Sequence, residues 1–480
     1  MLLLLPAFAL GAAFRLLPGG PASVPAPAIL SGHLAHAPAG DSVRLTYSQH
    51  YGRNGVRTAL SPTGDFKVVL TDLKEGTPIA FSYANERTAL YLSPGDQVRM
   101  DLDFARFDET VKYSGRGADV SNYVAQSLYK FEFGPVGSVP RPEYSPTVTV
   151  EQFRAVADNF RQQRRAFLAA YAKAHPLPAD FRRNAAFDID LKWAIQLLEL
   201  PAYRRNDNPK SAAPPATYFD FLAQLPLKKF DPYLKDRGID GNTAVMRFLT
   251  AYTNRLLPAN GRLSTDPTEA GRLYAQATAD FGLSASRERA MFQLFSWKLT
   301  DEADAVLAAY PTFQAQSRDS TFSRDLRNML SQQLRIRPGQ EAPAFTLLNH
   351  EGRQVSLSDL RGKVVYLDFW GTWCGPCMQE MPASLALRKK FEGRDVAFVY
   401  ISVGDQEDKW QKVLAAEHLA GPASVHLRST PQNDVASRYQ VSRYPTYWLI
   451  GRDGCIINGQ APRPSEGETT VAAINTALAR

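Results

Sequence analysis

Cysteine is nearly absent: the 480 residues hold three, two of them only three positions apart. A small secreted fold stapled by disulfides uses many more. Stability here does not come from cross-links, and the close pair points to chemistry. Histidine is also scarce: the chain holds seven, and residues 119–335 hold too few of them to form a metal cluster. Blocks of like charge are missing. The formal charge of +7 arises from 55 basic and 48 acidic residues, and no five like charges stand together. Nucleic-acid binding would need a basic stripe, and there is none.

Long apolar runs are lacking as well. The opening MLLLLPAFALGAAF is shorter than the ~20 residues that span a bilayer as a helix. It fits the apolar core of an export signal, with Ala9, Gly11, Ala12 and Ala13 as small residues near a cleavage point, although the usual basic leader is missing. No cysteine near that point offers a lipid anchor. Residues 1–27 are therefore expected to be a signal segment and a Pro/Ala/Gly-rich linker (Pro18 to Pro27). That places the protein in the periplasm or cell envelope, either cleaved or tethered by an uncleaved N-terminus.

What is present is an ordinary globular composition, 44% hydrophobic and 21% charged, in a chain long enough for several domains. Residues 28–118 alternate apolar and polar in short runs. Val43–Tyr47, Phe66–Leu70, Ile79–Tyr83, Ala89–Leu92 and Val98–Leu102 are separated by turns such as Ser61-Pro-Thr-Gly-Asp65 and Ser93-Pro-Gly-Asp96. This pattern predicts an antiparallel β-sandwich. Residues 119–335 turn to helical periodicity, clearest over Val150–His175, with further helices over 185–200, 244–256, 269–281 and 287–299. Pro201, Pro214-Pro215 and Pro258 are expected to separate them. Residues 336–480 alternate strand and helix. Strands are expected at 363–370, 396–403 and 446–450, then at 455–457 after a turn; helices are expected at 375–391, 407–417 and 468–478. This predicts an α/β domain with a largely parallel sheet and antiparallel strands added at its end.

The Cys pair falls where a buried strand hands over to a helix, in Trp373-Cys374-Gly375-Pro376-Cys377. A helix N-terminus offers unpaired N–H groups and positive dipole, which stabilise a thiolate. Cys374 should therefore have a lowered pKa and act as the nucleophile. Cys377, one turn deeper, would resolve the mixed disulfide. Pro376 suits a first helical turn, where its missing N–H is no loss. Trp373 would shield Cys374 and offer partners an apolar contact. Zinc would need four ligands, and no second Cys or His pair stands nearby. Peroxide reduction would want Pro-x-x-x-Thr-x-x-Cys, but Leu367 and Gly371 occupy those positions.

The segment Asp368-Phe-Trp-Gly-Thr-Trp-Cys-Gly-Pro-Cys377 resembles the thioredoxin active site. Met378-Gln-Glu-Met-Pro382 resembles the TlpA/ResA branch of envelope thiol–disulfide oxidoreductases, as do Gly339–Leu347, Asn349-His-Glu-Gly352 and Ser356–Leu360. The likeness covers 336–480. More weakly, the β unit, with Tyr113–Asp119, resembles the sandwich that precedes such modules in Bacteroidota envelope proteins.

This resemblance implies further roles. Arg443-Tyr-Pro-Thr446 matches the cis-proline loop, so Pro445 would be cis and face the disulfide, with Tyr444 presenting backbone groups to a partner chain; an ordinary trans proline is the alternative. Asp368 stands where thioredoxins carry a buried aspartate and many TlpA-like relatives an asparagine. Its pKa should rise, and it would take the proton of Cys377 or else be merely hydrogen-bonded. Asp405 aligns with an acidic residue proposed to tune the thiols, or is a helix N-cap. Glu380 reads as a second modulator or a surface residue. Cys455 reads as a small buried or edge residue.

No cofactor and no metal are expected. The leading expectation is a reductase of protein disulfides, apocytochrome c or other envelope proteins among them, recharged by a membrane thiol donor. A disulfide oxidase or isomerase is one alternative. A docking protein with an accessory redox domain is another. The oligomeric state is not legible.

Overall fold

The computed structural model describes residues 25–49, 52–134, 139–208, 214–234, 241–258, 260–417, 419–421 and 424–480. The expected export segment lies, but for its last three residues, outside them. By packing the chain divides into two units, Met1–Ala259 with Ala277–Ala290, and Asn260–Gln276 with Met291–Arg480.

The first unit opens with strands β1 (Ala28–Ala35), β2 (Ser42–Gln49), β3 (Gly52–Ala59), β4 (Asp65–Leu70), β5 (Thr77–Tyr83), β6 (Glu86–Leu92), β7 (Gln97–Asp103) and β8 (Lys112–Arg116). They form two four-stranded sheets, ordered β4-β1-β7-β8 and β3-β2-β5-β6. Period-two burial along β1, β4 and β5 turns every second side chain inward. Leu30, Leu34 and Val98 from one sheet join Leu45, Ile79 and Phe81 from the other in one core. The sandwich is thus as expected, but it is not wholly antiparallel. β1 runs parallel to β7, with Leu30 opposite Val98 and Leu34 opposite Leu102. A parallel neighbour needs a long connection, which strands β2 to β6 supply. Gly32 permits the close approach: a Cβ there would stand 2.4 Å from the Phe66 ring and 2.5 Å from the Met100 carbonyl.

The single turn α1 (Phe107–Thr110) precedes β8, and α2 (Ala118–Leu128) follows it. Ser121 fastens α2 to the sandwich. Its hydroxyl donates to the Tyr91 carbonyl at 2.8 Å and accepts the Tyr91 N–H at 3.1 Å. Helix α3 (Val150–Ala174) starts with a Thr149/Gln152 capping box and buries Phe153, Ala157, Phe160, Leu168 and Tyr171. Helix α4 runs unbroken over Ala179–Asp207, through Pro201. Pro201 was expected to break it, since proline lacks the N–H that bonds back one turn. The buried Leu197, Leu198 and Leu200 just before it carry the helix across by packing instead. Further helices are α5 (Gly241–Leu256), α6 (Pro267–Phe281), α7 (Ala285–Lys298), α8 (Ala303–Gln316) and α9 (Ser320–Arg335).

In the second unit, α8 and α9 lead into the α/β region. A hairpin, β9 (Thr346–Leu348) and β10 (Gln354–Ser356), precedes β11 (Val364–Trp370), α10 (Gly375–Lys390), β12 (Val396–Val403), α11 (Glu407–Ala416), β13 (Ser424–Ser429), α12 (Val435–Arg438), β14 (Thr446–Ile450), β15 (Ile456–Asn458) and α13 (Glu468–Leu478). The sheet order is β13-β12-β11-β14-β15. The first three strands are mutually parallel; β14 and β15 run antiparallel. Cys455 lies just before β15 rather than inside it.

Strand β11 is buried along its whole length. Alternation sends its residues to two cores. Val365, Leu367 and Phe369 join Ile336, Phe345 and Tyr439 on one face. Val364, Tyr366 and Trp370 join Cys374, Cys377, Met381 and Ile474 on the other. Asp368 falls in phase with the second set, beneath α10.

Candidate active site

β11 ends at Trp370, and four residues later Cys374 is the N-cap of α10. The connecting turn closes with the Cys374 N–H donating to the Gly371 carbonyl at 3.0 Å. Gly371 is needed there, because a Cβ would meet the Trp373 indole nitrogen at 2.5 Å. Cys374 Sγ accepts the Cys377 N–H at 3.2 Å. The two cysteines form a disulfide with Cα atoms 5.3 Å apart. Cys374 is 5% exposed and Cys377 1%, so an incoming group meets Cys374 first.

Around the disulfide the surface is partly aromatic. Trp373 is 52% exposed, pinned by its indole N–H donating to the Val403 carbonyl at 2.9 Å. Its ring meets Tyr444 edge-on, with centroids 5.2 Å apart. The Tyr444–Pro445 peptide bond is cis. Gly375 and Pro376 are exposed at the helix start, and Pro376 occupies its first turn.

Asp368 is 2% exposed. Its strand neighbours are Tyr400 on β12 and Tyr447 on β14. Its Oδ1 is buried without a hydrogen-bond partner. Burial, and then the charge of Glu380, push the Asp368 carboxyl well above the usual range.

Glu380 is not on the surface. It lies three residues after Cys377, on the inward side of α10, and is 8% exposed. Its carboxylate accepts the Ser465 N–H at 3.0 Å and the Ser465 hydroxyl at 2.8 Å. This partner, 85 residues further along the chain, meets the burial requirement for a charge.

Asp405 does not cap α11. The N-cap is Gln406, which makes no side-chain cap bond. Asp405 accepts the Thr372 N–H at 2.9 Å, the Thr372 hydroxyl at 2.6 Å and the Ser402 hydroxyl at 2.6 Å. It thereby ties the turn before Cys374 to the end of β12. Thr372, Ser402, Ser465 and Tyr447 were not singled out from sequence. Thr372 stands inside the Cys motif itself, whereas strand register and the long-range return of the chain bring Ser402, Tyr447 and Ser465 to the site. Cys455 stands apart, partly buried; burial and then Asp453 raise its thiol pKa.

Comparison with known proteins bears on the same stretch. Residues 338–458 match the AhpC/TSA family. The thiol-disulfide oxidoreductase ResA of Geobacillus thermodenitrificans is 34% identical over 127 residues, 26% of this chain and 71% of that protein. The chain belongs to the thiol–disulfide oxidoreductases. ResA of Bacillus subtilis is 35% identical over 124 residues, 25% of this chain and 66% of that protein. Among solved structures, a thiol:disulfide interchange protein from a Bacteroides species is 26% identical, covering 29% of this chain and 91% of that one, with a TM-score of 0.27. This oxidoreductase thus spans about two thirds of the length of the curated relatives it matches. Among the described residues no cluster of His, Cys, Asp or Glu could hold a metal, and no helix is long and apolar enough to cross a membrane.

Proposed function

We propose that this protein reduces protein disulfides in the cell envelope through Cys374 and Cys377. One observation carries the reading: Cys374 Sγ sits at the N-cap of a sixteen-residue helix, accepting a backbone N–H, and is the more accessible of the pair. In the dithiol state that position favours a thiolate.

The steps follow from the placement. Cys374 thiolate attacks one sulfur of a partner disulfide; a mixed disulfide forms and the partner's other sulfur leaves as thiolate. Cys377 loses its proton and attacks Cys374 Sγ. The second partner sulfur leaves, and the Cys374–Cys377 disulfide is the product. Asp368, on the strand face beneath α10, accepts the Cys377 proton. Burial makes its carboxylate a stronger base than one in water. Trp373, Tyr444, Gly375, Pro376 and Pro445 form the surface on which the partner chain lies. Asp405 and Glu380 position the turn and the helix.

Residues 336–480 are the redox module in this reading, 28–118 the sandwich and 119–335 the helical region. Two electrons must return from a donor, which we assign to a membrane thiol protein. Apocytochrome c and other envelope proteins are the substrates proposed from the resemblance. The midpoint potential decides the direction. A value near thioredoxin's ~−270 mV is expected, with insulin reduction by the dithiol form. A value near the ~−120 mV of a strong oxidant would assign the pair to oxidation instead.

A further inference from the structure

The corner between α7 and α8, Leu299 to Glu302, lies beside the cis-proline loop, and the redox chemistry does not use it. Both belong to the second unit, within Met291–Arg480. The Asp301 carboxylate on the corner stands 3.7 Å from the guanidinium of Arg443, two residues before Pro445. The same carboxylate accepts from the Gln460 side-chain amide at 2.5 Å, and that amide lies 3.5 Å from the Thr300 carbonyl. Gln460 follows β15, so the corner is fastened to the α/β region at two places. Each side is also held on its own account. Leu299 is buried under the corner, and the Arg443 carbonyl accepts from the Thr446 hydroxyl at 2.7 Å.

Of the six tryptophans, all among the described residues, four are buried; Trp297 at 65% exposed and Trp373 at 52% are the others. Trp297 belongs to this corner. The Glu302 N–H donates to the Lys298 carbonyl at 2.8 Å, so an α-turn continues past the end of α7. Residues four apart on such a turn share a side, which places Trp297 with Asp301. From the disulfide outward the surface then runs unbroken. Trp373 meets Tyr444 with centroids 5.2 Å apart. Arg443 is the next residue along the loop, Asp301 faces it, and Trp297 stands one turn from Asp301. A single surface tryptophan needs no explanation. Two at the ends of one ledge that also holds tyrosine and arginine match the residue types that dominate binding surfaces.

We propose that a partner chain with its cysteine at Cys374 continues across Pro445 onto this corner, where Trp297 takes an apolar side chain of the partner. Asp301 is a positioning residue that holds Arg443, and with it the cis-proline loop, against the corner. The occupant is an extended protein segment that carries an apolar residue flanking its cysteine. The helix that precedes the redox module thereby supplies part of the surface that selects the substrate. The inference rests on the reading of Cys374 as the attacking thiol.

The test mixes the dithiol form of the full chain with excess insulin or with 5,5′-dithiobis(2-nitrobenzoate), a disulfide that has no peptide chain to lay on the corner. Single turnovers are quenched with acid and formation of the Cys374–Cys377 disulfide is measured. Trp297→Ala should raise the half-saturating insulin concentration about tenfold with the limiting rate kept, and Trp297→Phe, which keeps a ring, about threefold. Asp301→Arg should raise it about fivefold; Arg443→Asp added to it restores the pair with its charges exchanged and should recover most of that loss. In each single variant the rate constant for insulin should fall relative to that for the small disulfide. Unchanged half-saturation in Trp297→Ala, equal losses on both disulfides, or a charge exchange that recovers nothing would overturn the proposal. Wild-type protein that reacts with neither disulfide would overturn it together with the reading of Cys374 on which it stands.

Discussion

Asp368→Asn separates the electrostatics of the buried carboxyl from its shape. The side chain sits under α10 with Tyr400 and Tyr447 as its strand neighbours. Desolvation, then Glu380, raise its pKa in the folded protein. In the unfolded chain it titrates near ~3.9. Below that value both states hold the proton and Asp368 adds no pH dependence. Above it the unfolded chain gives up a proton that the folded protein keeps, so unfolding releases a proton and stability falls as pH rises. The slope reaches about 1.4 kcal/mol per pH unit and persists until pH passes the raised folded value. The amide has no such linkage. Its new N–H donors shift the absolute stability by an amount independent of pH, so the wild-type minus variant difference must fall by about 1.4 kcal/mol per pH unit over that range. The measurement is urea unfolding of oxidised wild type and Asp368→Asn at half-unit steps from pH 4 upward, read by the emission of the buried Trp370, Trp410 and Trp448. A wild-type minus variant difference that does not change with pH would refute a raised Asp368. The same substitution removes the proposed proton acceptor, so release of the mixed disulfide should slow about 100-fold, the low end of general-base effects, while its formation should be little changed.

Three further outcomes are expected. Cys377→Ala should accumulate a mixed disulfide with a model disulfide protein, visible on non-reducing gels, whereas Cys374→Ala should form none; trapping through Cys377 instead would reverse the assigned order. Asp405→Ala should destabilise the protein by about 2 kcal/mol in urea, because the Thr372 and Ser402 donors lose their acceptor; an unchanged midpoint would remove Asp405 from the turn's support. His426 is buried, and burial, then Arg388, lower its pKa to about 3. Its sign is opposite to that of Asp368: as pH falls below ~6.5 the unfolded chain takes up a proton that the folded protein refuses, and stability drops by up to about 1.4 kcal/mol per unit. His426→Phe should flatten that acid limb.

The sandwich, the helices and the α/β region are legible wherever a side-chain period repeats long enough to count. Strands β12 and β14 show as apolar runs because both their faces are covered. β3, with the sequence GRNGVRTA, and β13, with SVHLRS, lie at sheet edges and carry too few apolar residues to signal; their pairing comes from a neighbour's unfilled backbone groups. The parallel β1–β7 pair escapes any local reading for a different reason. Parallel and antiparallel partners bury the same faces, and only the path of the chain between them distinguishes the two. The site divides along the same line. Cys374, Cys377 and the cis Pro445 stand in short motifs. Glu380 does not, since a lone glutamate between Gln379 and Met381 on a helix looks solvated. Its burial depends on Ser465, whose N–H and hydroxyl arrive only after the sheet is complete. A charged residue three positions from a disulfide cysteine can therefore face inward whenever a later loop brings donors to meet it. Strand and helix phase find the proposed reacting atoms here, and long-range closure decides the charged groups packed around them.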